Sequence, residues 1–136
     1  RDPVTVMASI SRLIEVIRCV SFDQIDRDEL GQELLHLWHD GQAAALAWRE
    51  VNPQVEVLDL AFRDLIADPV EAVRKVYDHA DIDFTGRTEE AVSRWWREHP
   101  ADKHGQHRYE LADYGLTREQ VEGVYADYIS AYRPYL

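Results

Sequence analysis

The segment Val55–Phe62, VEVLDLAF, constrains this chain more than any other stretch. It is short, apolar and partly β-branched, and it follows the turn residues Asn52 and Pro53, so it reads as a buried strand. No second stretch in the sequence reads as well as a strand. A lone strand cannot pair its own backbone N–H and C=O groups, and a sheet needs several neighbours to be stable. Its partners are therefore expected outside these residues. The chain also opens at Arg1, with no methionine, directly at a helix start, and it reads as truncated. With a strand ahead of Arg1, the first two helices would form the crossover of a parallel β-α-β unit.

Helical signals fill the remainder. Asp2 and Pro3 have the cap-plus-proline order of a helix start. Val6, Ile10, Leu13, Ile17 and Val20 then recur at helical spacing, so this stripe is expected to be buried and the helix to end near Ser21. A second helix is expected from about Asp26, with Leu30, Leu34, Leu37, Trp38, Ala45 and Trp48 along its apolar face, stopping before Asn52. Asp68 and Pro69 repeat the start signal for a third helix carrying Val70, Val73, Val76 and Tyr77. A fourth begins near Thr85 or Thr88, carries Val92, Trp95 and Trp96, and ends by His99, because Pro100 disfavours helical geometry before it. Thr117 and Gln120 have capping-box spacing ahead of a last helix with Val121, Val124, Tyr125, Tyr128 and Tyr132 on its apolar side. The tryptophans read as core or interface residues.

Charge removes several classes of function. A net charge of −11 over 136 residues opposes binding to nucleic acid polymers and to acidic membrane surfaces. No uncharged apolar run approaches the ~20 residues needed to span a bilayer. The single cysteine, Cys19, has no partner for an internal disulfide and lies among apolar helical residues, as inert buried thiols do. A reducing, cytoplasmic setting fits. One domain over residues 1–136 is the expectation. His99, His104 and His107 lack a usual metal-ligand spacing and have no cysteine nearby, so no metal is expected.

Two places suit an anion. Arg1 stands where a strand would hand over to a helix, a common nucleotide site in open α/β sheets, and amides at such a turn favour negative charge. The loop His99–Leu111, HPADKHGQHRYEL, gathers Lys103, His104, His107 and Arg108 in an otherwise acidic chain, and Gly105 allows close backbone approach to a phosphate.

The string RDPVTVMAS resembles the 3′-phosphate segment of the PAPS-dependent sulfotransferases (PAPS, 3′-phosphoadenosine-5′-phosphosulfate), with Arg1 opening the turn and Ser9 eight positions on. LAFRDLIADPVEAVRKVYDHADI is similar to that family's strand, its DP stretch and the helix beyond. KHGQHRYELADYGL resembles the C-terminal loop of a bacterial branch, with Lys103, His104 and Gly105 in place of the family's Arg-Lys-Gly. Phe62 stands where the family often has a tyrosine near the adenine, which allows stacking without a hydroxyl contact.

The resemblance implies an α/β fold, of which this chain is the C-terminal, mostly helical part. Helices would flank the central parallel sheet of a P-loop-like domain, with about one strand supplied here. It implies transfer of a sulfuryl group from PAPS to a small-molecule hydroxyl or amine. Arg1, Ser9, Lys103, His104 and Gly105 would hold the 3′-phosphate and Phe62 would stack on the adenine. No catalytic residue is assigned in this chain, since the family's phosphosulfate loop and base lie ahead of the Arg-Asp-Pro turn. By itself the chain is expected to be inactive. Homo-oligomerisation through exposed sheet edges is a further expectation. The competing class is a non-enzymatic helical interaction module on the same scaffold. A nucleotide kinase would require a Walker-type lysine and a magnesium carboxylate upstream.

Overall fold

Asp2 starts the first helix by accepting the Val4 amide on its carboxylate at 3.0 Å, with Pro3 in the first turn. The structure is a computed structural model that describes residues 1–100 and 109–136. Helix α1 runs over Pro3–Arg18 and α2 over Arg27–Val51, the latter capped by Asp26, which accepts the Glu29 amide at 3.0 Å. Then come α3 (Phe62–Ala67), α4 (Pro69–His79) and α5 (Gly86–Glu98). Asp68 caps α4 through the Glu71 amide, and Thr85 caps α5 through the Thr88 amide. A 3₁₀ turn, Leu111–Tyr114, precedes α6 (Arg118–Val124) and α7 (Ala126–Tyr132), and a second 3₁₀ turn, Arg133–Tyr135, follows. Thr117 and Gln120 close the expected capping box, each side chain accepting the other's amide at 3.2 and 2.8 Å.

The chain divides into two compact units. The first holds the described residues within Arg1–Val55 and Arg108–Arg133, the second those within Glu56–His107 and Pro134–Leu136. In the first, Val4 and Met7 of α1, Leu30, Leu34 and Leu35 of α2, Tyr114, Leu116, Val121 and Tyr125 form a continuous buried core. Ile10, Ile14, Val124, Tyr128 and Ile129 pack around it. Gly31 is required here, because a Cβ at this point of α2 would lie 2.1 Å from the Tyr114 carbonyl oxygen. In the second unit α4 packs with α3 and α5. Arg74 lies over the Phe84 ring at 4.2 Å and pairs with Glu89 at 3.1 Å. Arg63 holds the chain end by donating to the Pro134 and Leu136 carbonyls.

Several expectations are corrected. No strand occurs among the described residues: residues 56–61 have no regular secondary structure and Phe62 opens α3. The physical reason is pairing. A β-strand exists through its ladder, and this segment has no ladder partner among the described residues. The stripe expected to be buried on α1 is covered only in part: Val6 and Ile10 are half-buried, but Leu13 and Ile17 are each 56% exposed and Val20, beyond the helix end, is 87% exposed. The buried line is Val4, Met7, Ala8, Ser11 and Glu15. On α2 Leu30, Gly31, Leu34 and Leu35 are buried, whereas Leu37, Trp38 and Trp48 are exposed, as is Trp95 on α5. Cys19 is an exposed thiol at the C-cap of α1. The last helix is divided at Tyr125, whose backbone leaves helical geometry (φ −94°, ψ 17°) while its ring stays buried. Hydrogen bonds of helical span still reach across the break, from Tyr125 to Val121 and from Ile129 to Tyr125.

Candidate functional site

Arg1 lies just outside α1 and is exposed, and its backbone carbonyl accepts a hydrogen bond from the Tyr128 hydroxyl at 3.5 Å. Ser9 is half-buried on α1. Eight residues of helix rise ~12 Å, so the Arg1 side chain must fold back along the first turns to meet a group held by Ser9. The Val4 amide, which the sequence reading offers to an anion, already donates to Asp2, and the Thr5 hydroxyl donates to the Asp2 carbonyl at 3.0 Å. The Asp2 carboxylate therefore occupies part of the helix start.

A groove of ≈ 520 Å³ runs beside these first turns of α1. Val4, Thr5 and Ala8 line it from α1, and Tyr109, Glu110, Leu111 and Ala112 from the end of the cationic loop and the residue after it. Lys103, His104 and Gly105 themselves lie outside the described residues. Phe62, expected at a strand end, is instead the first residue of α3 and is 37% exposed. His99 caps the end of α5, with its ring stacked on Trp95 (centroids 4.5 Å apart, planes 13° apart) and Nδ1 2.8 Å from the Trp95 carbonyl oxygen. Among the described residues no group of His, Cys, Asp or Glu could hold a metal ion, and no helix is long and apolar enough to cross a membrane.

One polar cluster escaped the sequence reading. The Glu15 carboxylate is buried on α1 with Oε1 accepting from Arg27 Nε at 2.7 Å, and Oε2 from Arg12 Nη1 at 2.7 Å and the Tyr114 hydroxyl at 2.8 Å. Burial pushes the Glu15 carboxyl up, but the hydrogen bonds from Arg12, Arg27 and Tyr114 outweigh it and bring it down to about 2. Burial and the bond to Glu15 push the Tyr114 phenol up to about 12. At neutral pH the carboxylate is charged and the phenol keeps the proton it donates. The signal was present: Ser11 and Glu15 continue the spacing of Val4 and Met7, and a carboxylate on a buried line requires cationic partners.

A family model described as the sulfotransferase family matches residues 1–86, which include Arg1, Ser9 and Phe62. The fold is similar to that of the crystal structure of sulfotransferase STF9 from Mycobacterium avium, with a TM-score of 0.80 at 24% identity. That likeness covers 96% of this chain and 34% of the mycobacterial one, so the chain spans about a third of that protein's length. No curated protein matches the chain.

Proposed function

This chain belongs to the sulfotransferase family, and from that premise we propose that it supplies the 3′-phosphate-binding half of an enzyme transferring a sulfuryl group from PAPS to a hydroxyl or amine. The groove beside α1 carries the reading. Tyr109 follows the basic residue Arg108 directly in the chain and lines the groove together with Thr5, Ala8 and the cationic Arg118, beside the turns of α1 that Arg1 precedes and Ser9 follows. Arg1 supplies a fixed cationic fork suited to phosphate oxygens. Ser9 adds a hydroxyl donor, and Lys103, His104 and Gly105 close over the same phosphate. The family resemblance gives Phe62 the part of stacking on the adenine.

In the transfer, the acceptor oxygen or nitrogen forms the new bond to sulfur as the bond from sulfur to the 5′-phosphate oxygen breaks, leaving 3′,5′-adenosine bisphosphate, and the acceptor proton passes to a base. None of the residues in this chain is assigned as that base. Their part is to fix the donor by charge and orientation, which lowers the barrier by placing the sulfuryl group in line with the acceptor. The finer fold reading is a central parallel sheet flanked by these helices. It is supported by the open apolar stripe of α1 and, separately, by Val57 and Leu60, which stay 43% and 40% exposed in a segment rich in strand-forming residues.

Calorimetric titration of the full-length protein tests the assignment. Binding of 3′,5′-adenosine bisphosphate at least about tenfold tighter than 5′-AMP is the expected outcome. Equal affinities would remove the 3′-phosphate site.

A further inference from the structure

We propose that Glu15 is a positioning residue for the 3′-phosphate site, acting through Tyr114 to set the register of the 109–116 segment against α1. This rests on the reading of the groove given above. Both Glu15 oxygens are engaged, by Arg12, Arg27 and Tyr114 at 2.7–2.8 Å. Such charge-assisted bonds fix distance and direction where apolar packing fixes mainly volume. A buried ion pair seldom adds net stability over well-packed apolar residues of similar size, because desolvation offsets the attraction. What the cluster adds over an apolar core is therefore mainly geometry.

Tyr114 transmits that geometry because it is clamped on its other side. Its carbonyl oxygen occupies the space left by Gly31, and Gly115 takes a left-handed conformation (φ 60°) beside Asp28, so the turn cannot slide along α2 without a clash. From Tyr109 to Tyr114 the chain follows α1 in the same direction. Tyr114 meets Glu15 at one end, and Tyr109, Leu111 and Ala112 share the groove with Val4, Thr5 and Ala8 at the other. The eleven steps of helix from Val4 to Glu15 rise ~17 Å, so the two ends of this contact are rigidly joined. Losing the pin at Glu15 frees α1 to turn or slide against the segment, and a displacement on the order of 1 Å is enough to misplace a phosphate-binding side chain.

The test compares two ligands in two variants of the full-length protein. Glu15→Gln keeps the volume and removes the charge, and Tyr114→Phe removes only the hydroxyl. Calorimetric titration of Glu15→Gln should show 3′,5′-adenosine bisphosphate bound about tenfold more weakly while 5′-AMP stays within about twofold, and Tyr114→Phe should shift the same ratio by about threefold. A purely structural role would weaken both ligands together or lower the unfolding midpoint alone. Either result, or an unchanged ratio in both variants, overturns the inference while the phosphate site stands. If the unaltered protein itself fails to prefer the bisphosphate, the functional reading fails and this inference with it. Should Glu15→Gln not fold, the Tyr114→Phe ratio decides.

Discussion

The first unit buries Met7, Leu30, Leu34, Leu35, Tyr114, Val121 and Tyr125 to 2% exposure or less, whereas the second buries only Ala61 and Ala72 among its described apolar residues. The second has apolar side chains of its own: Ile66, Val76, Ile82 and Trp95 all remain more than 40% exposed. The difference lies in what surrounds those side chains rather than in composition. Helices of the first unit meet face to face through large side chains. In the second, the contacts are made by partly exposed groups such as the Tyr77 ring on Phe84 and the surface pair Arg74 with Glu89. Tertiary stability in this chain should therefore reside in the first unit, with the second opening at lower cost.

Truncating cores separates the two most strongly. Leu34→Ala, at a position 2% exposed, should lower unfolding free energy by about 3 kcal/mol, whereas Ile82→Ala, at 56% exposed, should change it by less than about 0.5 kcal/mol in urea unfolding. Comparable losses would erase the contrast. Gly31→Ala probes the close approach in the first unit: alanine should gain about 1 kcal/mol of helix propensity, but the clash with the Tyr114 carbonyl should produce a net loss of about 2 kcal/mol. A gain in stability would show that the turn yields easily.

Acid gives a smaller, graded effect. Glu15 is held down at about 2 against an ordinary value of 4.5, so its contribution is complete above pH 4.5 and is lost as pH falls toward 2. Allowing for the half-exposed guanidinium partners, that loss should amount to about 2 kcal/mol. Stability measured across this window should fall in the unaltered chain and fall less steeply in Glu15→Gln. Parallel curves would remove Glu15 as the source.

Local signals in the sequence were legible where short-range chemistry decides. The caps at Asp2, Asp26, Asp68, Thr85 and Thr117 formed where aspartate or threonine preceded a periodic segment, because the cap bond involves residues only two or three positions apart. What a helix faces is a tertiary matter, and there the reading failed. On α1 the more apolar line, through Leu13, Ile17 and Val20, is open, while the line containing Ser11 and Glu15 is buried. Periodicity identifies an amphipathic helix without saying which partners exist to cover it. VEVLDLAF failed for the same reason, since strand propensity without a ladder leaves an extended segment. In the candidate site, Arg1 and Ser9 could be named from spacing and resemblance. The pairing of Glu15 with Tyr114 could not, because 99 positions separate them in the chain and only the fold brings them to 2.8 Å.

The proposed function depends on recognition of an adenine nucleotide's 3′-phosphate by Arg1. It is tested most directly by calorimetric titration of Arg1→Ala in the full-length protein with 3′,5′-adenosine bisphosphate and with 5′-AMP. Bisphosphate affinity should fall at least about tenfold while 5′-AMP affinity barely changes, bringing the two ligands close to parity. An undiminished preference for the bisphosphate in Arg1→Ala would contradict the claim.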